Sequence, residues 1–282
     1  MLLAGNFSKQ SSHRRLPRVQ RVRRRGSTDD PSGSTAAVPP AAGRPRRSVL
    51  ACVALALFAL AFAARLTPVL RGGGLVGLGN YDDGVHYAAA AALVAGLLPY
   101  QDFLLLHPPA ILLLLSPFAA LAHLVGDPHA LAAARLGWMA LGGVNALLVA
   151  RVLLPLSGTA ALVGGVGYAV FFPAVYSEHT VLLEAPATTC LLVSLVLLRV
   201  TEAQPYASPA RVLAAGAVLG ASITLKIWGI VPVLVVVAWL LLRRRRPDAL
   251  RFLAGGAAIC VDRKSTRLNS SHEDLSRMPS SA

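Results

Sequence analysis

Seven stretches of this chain, roughly 48–66, 108–125, 129–153, 157–175, 182–200, 211–225 and 227–242, are apolar runs near bilayer length, and an eighth begins near 250. A backbone placed in hydrocarbon must satisfy its own hydrogen bonds, so runs of this kind fold as helices. The fold class that follows is all-α, a polytopic membrane helix bundle. Composition agrees, with 55% apolar residues and a mean hydropathy of +0.60, values foreign to a soluble domain of this length.

The formal charge of +14 would by itself suggest nucleic acid, but its distribution argues otherwise. Eleven of the 27 basic residues precede Ser48 and four more form the block Arg243 to Arg246, both beside apolar runs. That is the pattern of charge held on the cytoplasmic side of a membrane, and no folded nucleic-acid module accompanies it. Residues 1–47 are poor in aromatics and rich in Arg, Ser, Pro and Gly, which predicts a disordered basic cytoplasmic tail or a start codon placed too far upstream. Residues 48–261 form the expected transmembrane module. Residues 262–282, DRKSTRLNSSHEDLSRMPSSA, break from the Ala/Leu/Val composition inside an apolar run and read as translated sequencing-adapter DNA. On that expectation the chain is an N-terminal fragment, inactive as written. Cys52, Cys190 and Cys260 lie within apolar runs without CxxC spacing, so neither disulfide nor zinc framework is indicated.

Charge also orders the crossings. If every run crossed, Arg151, Arg199 and the four arginines from Arg243 would emerge outside. Holding 108–125 at the outer interface puts them all inside together with Arg211. That run opens with His107-Pro108-Pro109 and contains Pro117, which suits a juxtamembrane hairpin. Six crossings follow. A long outer loop, about 67–128, then carries Asp82, Asp83, His86, Asp102, His107 and Asp127. A second outer turn, about 176–183, carries Glu178 and His179, with Glu184 at the top of the next helix, and Lys226 emerges on the same side.

Asp82 and Asp83 stand at the predicted start of a helix ending near Gly96 and Pro99. Capping and the helix dipole account for one carboxylate there. They do not account for two, nor for His86 one turn further along the same face.

The segment YDDGVHYAAAAALVAGLLPYQDFLLLHPP resembles the first outer loop of the GT-C superfamily of polyprenyl-phosphate-sugar-dependent membrane glycosyltransferases, in the branch of protein mannosyltransferase-like and aminoarabinose transferase-like enzymes. The features that carry the resemblance are Asp82-Asp83-Gly84, a helix, the turn from Gly96 through Pro99-Tyr100 to Asp102, and Pro108-Pro109. Arg135, Glu184 and Lys226 fall where the family has an outer arginine, a second-loop acid and an outer lysine. Glu178 is the alternative acid, and His107 stands where the family often has lysine. The resemblance covers about 48–261.

The resemblance implies transfer of a sugar from a polyprenyl-phosphate donor to an extracytoplasmic hydroxyl of a glycan, lipid or protein, with inversion. The lipid phosphate is the leaving group, so no nucleotide is needed and no cofactor is required; whether a divalent metal takes part stays open. Asp82 is the expected base, with Asp83 orienting it or the acceptor. Arg135 and Lys226, with His107 and His86 in reserve, are the expected cations for the departing phosphate. Each has a plainer reading: Arg135 and Lys226 as interfacial anchors, Glu184 as a dipole partner, Asp102 as a turn cap, and His123, His129 and His179 as interfacial histidines. The implied location is a bacterial plasma membrane with a cytoplasmic N-terminus and an extracytoplasmic site. A transporter or lipid flippase is the alternative, and it predicts ionisable groups on broken helices in the membrane interior; the expectation here is that the crossings are almost free of charge there. A scaffold would leave the Asp pair without a purpose.

Overall fold

The computed structural model describes residues 47–77, 80–200 and 208–275, with side chains to Cys260. The basic tail, apart from Arg47, and residues 276–282 lie outside the described residues. Among the described residues every regular element is helical. In order these are α1 (Arg47–Arg71), α2 (Tyr81–Val94), α3 (Ala110–Val125), α4 (Asp127–Leu153), α5 (Gly158–Val170), α6 (Phe172–Glu178), α7 (Glu184–Leu198) and α8 (Pro209–Leu225). A 3-10 turn, Ile227–Gly229, then leads into α9 (Ile230–Leu242), and α10 (Arg246–Leu275) follows. The backbone of α10 runs unbroken across the change of composition at Asp262.

Local chemistry sets the ends. Ser157 accepts from Ala160 N at 2.9 Å to open α5, and Ser208 with Pro209 opens α8. The five alanines from Ala88 leave α2 with strong intrinsic helicity. Its end is a paired-hydrogen-bond cap: Gly96 N donates to Leu93 O and Leu97 N to Ala92 O, with Gly96 at φ +91°.

Contacts give each helix a direction. Leu57 meets Gly165 and Arg65 reaches Ala169 O, so α1 runs parallel to α5; Leu153 lies against Gly164 and Ala150 against Gly165, so both run antiparallel to α4. Asn145 reaches Ala185 O, and Trp138 Nε1 donates to Leu182 O, which sets α7 alongside α4 in the same direction. Leu225 joins the cluster of Leu183 and Ala185, whereas Leu198 packs with Val212, so α8 returns. Gly229 abuts Ser222 and Leu240 shares the Val212 cluster, so α9 descends again. Gly216 and Gly220 lie against Phe252 and Gly256 of α10, backbone to backbone, the close approach that small residues allow between membrane helices.

These directions bring Arg47, Arg151, Arg199, Arg211 and Arg243 to Arg246 to one end, here the arginine end. The opposite, loop end carries α2 and α3. The cluster that holds α3 reaches α4 only from Ala130 to Leu141, so α3 covers the N-terminal half of α4, in line with a hairpin kept at one end.

The outward faces are as apolar as the core: Leu55, Val163, Val235 and Leu250 are each more than 60% exposed. Such a surface belongs in lipid, and the chain is a membrane-embedded protein. By length and composition α1 and α4 can each span a bilayer, and α5 with α6, bent by 57°, makes a third if taken as one span. The other apolar helices, α3, α7, α8 and Ile227–Leu242, are shorter. The count of six crossings is therefore not reached by helix length alone.

Candidate functional site

Asn80 caps α2, its side chain accepting from Asp82 N at 3.2 Å. The two aspartates are thus freed from the capping role considered for them and occupy the first turn, where the dipole favours their charge. Successive residues of a helix point about 100° apart, which separates their fates. Asp82 is exposed, whereas Asp83 is fully buried. Arg135, on the facing turn of α4, donates through Nε and Nη2 to Asp83 Oδ2 at 2.8 and 2.7 Å. Its Nη1 donates to the carbonyls of Leu75 and Gly77. Asp83 Oδ1 is buried without a hydrogen-bond partner among the described residues.

This ion pair answers the electrostatic problem of adjacent acids, because Arg135 neutralises Asp83 and leaves Asp82 as the one outward carboxylate. It also commits Arg135 to Asp83 and to the 75–77 backbone, away from the phosphate role expected of it.

His86 is buried on the same face as Asp83. Its Nδ1 donates to Val181 O at 3.1 Å, since a carbonyl can only accept. The first and second acidic segments are therefore joined directly. Burial, with a smaller contribution from His107, pushes the His86 pKa below the usual histidine value, partly offset by the Val181 bond and the two aspartates. A neutral ring is a poor anion binder, so the structure turns His86 into a link between segments. His107 lies edge-on to it, ring centres 5.4 Å apart. Tyr87 Oη donates to Asp127 Oδ1 at 3.0 Å, and burial with that carboxylate pushes the phenol up to about 12.

Asp102 accepts from Leu98 N at 2.6 Å and closes the turn after α2, the structural role considered for it. Glu184 begins α7 and pairs with Lys226 at 2.5 Å; both side chains are partly open, at 41% and 36% exposure. Of the four groups proposed for a phosphate, Arg135 and His86 are buried, whereas the Lys226 side chain stays partly open.

Glu178 is placed differently from its expected outer turn. It ends α6 and is buried in the bundle, paired with Arg65 of α1. Its Oε1 accepts from Asn145 Nδ2 at 2.8 Å and Tyr168 Oη at 2.6 Å, and Thr189 donates to Asn145 Oδ1 at 2.7 Å. The expectation of crossings almost free of charge is thereby corrected: a buried ion pair sits at a bent helix. Sequence reasoning left Arg65 out because it closes the first apolar run, 48–66, whereas α1 continues to Arg71. The signal was available as one arginine and one glutamate, each costly alone inside an apolar bundle and able to neutralise each other.

No group of three or more His, Cys, Asp or Glu side chains that could hold a metal occurs among the described residues. Two surface hollows, one beside Leu241, Leu242, Arg244 and Arg246 and one along Tyr100 to Leu104, are lined by neither Asp82 nor Glu184. Comparison with protein-family models, with curated proteins and with solved structures finds no match to this chain.

Proposed function

We propose that the chain belongs to a membrane glycosyltransferase that moves a sugar from a polyprenyl-phosphate donor to a hydroxyl on the non-cytoplasmic side, with the six crossings and juxtamembrane hairpin read from the sequence. One observation carries the reading: Asp82 is an outward carboxylate at the bundle end opposite Arg47, Arg151 and Arg243 to Arg246, beside an Asp83 held by Arg135. Charge asymmetry orients that end away from the cytoplasm.

The chemistry follows from the residues. The acceptor O–H gives its proton to Asp82 as its oxygen attacks the anomeric carbon, and the bond from that carbon to the lipid phosphate breaks on the opposite face. Lys226 meets the charge that gathers on the departing phosphate, exchanging its contact with Glu184 for it. Asp83 and Arg135 hold the first turn of α2 in place.

The buried Arg65–Glu178 pair at the α5–α6 bend is the feature that favours a transporter instead. Its groups are engaged: Arg65 donates to Glu178 and to the carbonyls of Ala61 and Ala169, and Glu178 also accepts from Asn145 Nδ2.

Two measurements test the proposal. Single cysteines replacing Asp82 and Glu184 should both react with an impermeant maleimide from the non-cytoplasmic side; opposite sidedness ends it. In the longest product of its own gene, supplied with radiolabelled polyprenyl monophosphate mannose or arabinose, Asp82→Asn should lower transfer at least about 100-fold. Crosslinking of a photoactivatable form of the same lipid should survive that substitution and fall with Lys226→Ala.

A further inference from the structure

The break between α5 and α6 has a chemical cause. Pro173 has no N–H, so the carbonyl of Ala169 lacks the donor that a continuous helix would supply four residues on. Arg65 Nη1 reaches that carbonyl at 3.2 Å. The same guanidinium donates through Nε and Nη2 to Glu178 Oε2, at 2.8 and 2.5 Å, at the far end of α6. One side chain from α1 therefore touches the last turn of α5 and the last residue of α6. A single guanidinium thus bridges the 57° bend, from the last turn of α5 to the end of α6.

The surroundings are built for this group. Arg65 and Glu178 are 0% and 1% exposed. A Cβ at Gly142 would stand 2.1 Å from Arg65 Nε and 2.7 Å from Glu178 Oε2, so glycine leaves the room that the pair fills. Beyond Glu178 the chain has five residues before α7, of which Thr180, Val181 and Leu183 are buried. Within them Val181 O takes the His86 bond and Leu182 O the Trp138 bond. Besides these two bonds, the place of this segment is set by where α6 ends and where α7 begins.

We propose that Arg65 is a positioning residue: its guanidinium staples the α5–α6 break and so fixes the Val181 carbonyl against His86 and Glu184 beside Lys226. Its importance for sugar transfer rests on the function proposed above, whereas the staple itself does not. A lysine cannot replace it, because a point donor lacks the planar fork needed to serve Ala169 O and Glu178 together.

The test uses the full chain in membranes without any sugar lipid, so it is independent of transfer. Cys52, Cys190 and Cys260 are replaced by alanine, and single cysteines are placed at Val181, the reporter, or at Ala134, a buried control on α4. Maleimide labelling of Val181→Cys should be at least about tenfold faster with Arg65→Lys than with Arg65, reflecting a local opening. The Arg65→Met/Glu178→Met pair removes the buried charges but not the orphaned Ala169 carbonyl, and should speed it likewise. Ala134→Cys should label at the parental rate throughout. An unchanged Val181→Cys rate with Arg65→Lys means that charge alone suffices and overturns the staple. Equal acceleration at Ala134→Cys means that Arg65 only holds the bundle together and overturns it too.

Discussion

At the scale of single residues, neighbouring acids divide their duties according to which side of α2 they face. Asp83→Asn leaves the Arg135 guanidinium buried against a neutral partner, which by comparison with broken buried pairs costs about 3–5 kcal/mol and should appear as a lower melting temperature in detergent. Asp82→Asn removes an exposed carboxylate whose loss costs only the helix-dipole contribution, about 0.3–1 kcal/mol, and should lower melting far less than Asp83→Asn. His86 supplies a pH dependence. Its folded pKa is lowered mainly by burial, so the unfolded chain binds the proton more tightly. Stability is full above the ordinary value of 6.5 and falls as the pH drops below it toward the lowered folded value. His86→Asn keeps a donor near the Nδ1 position and removes the titration, so thermal melts between pH 7.5 and 5 should lose that part of their slope. The Asp-Asp pair was legible in the sequence as something unusual. Which of the two would be outward was not, because that depends on which face of α2 packs against α4.

At the scale of elements, glycines mark where helices approach or turn. Gly142→Ala puts a methyl into the Arg65–Glu178 pair, and the overpacking should cost about 1–3 kcal/mol, read as reduced thermal stability. Gly220→Leu should be more damaging, since even a Cβ there lies 2.6 Å from Gly256 Cα. Thermal melts of the two variants should rank them in that order. The apolar runs located the helices closely: 129–153 became Asp127–Leu153, 211–225 became Pro209–Leu225, and 182–200 became Glu184–Leu198. The run 157–175 hid a bend, although Pro173 was visible in it. A proline indicates that a backbone donor is missing; it does not reveal whether a neighbouring helix supplies another.

At the scale of the whole molecule, alternating helix directions collect Arg47, Arg151, Arg199, Arg211 and Arg243 to Arg246 at one end and Asp82, Glu184 and Lys226 at the other. Cysteines at Ser208 and at Asp82 should therefore label from opposite sides of the membrane, which a permeant and an impermeant maleimide distinguish. Charge counting alone anticipated this segregation, because the cost of moving guanidinium groups across a bilayer acts on each loop separately. The residues at the loop end were assigned to one compartment on the same ground. Their pairing, Asp83 with Arg135, Glu184 with Lys226 and His86 with the Val181 backbone, came from packing.

Run length and charge were enough to make this chain a helical membrane protein, to locate most of its helices and to single out the Asp82-Asp83 pair. Periodicity, run length and charge are local quantities, and lipid makes each of them decisive. That Asp83 and Glu178 are enclosed while Asp82 and Glu184 are open, and that Arg65 bridges a broken helix, emerged from packing. Those outcomes depend on which helix faces meet across tens of residues, and hydropathy carries no information about the direction in which a single side chain points.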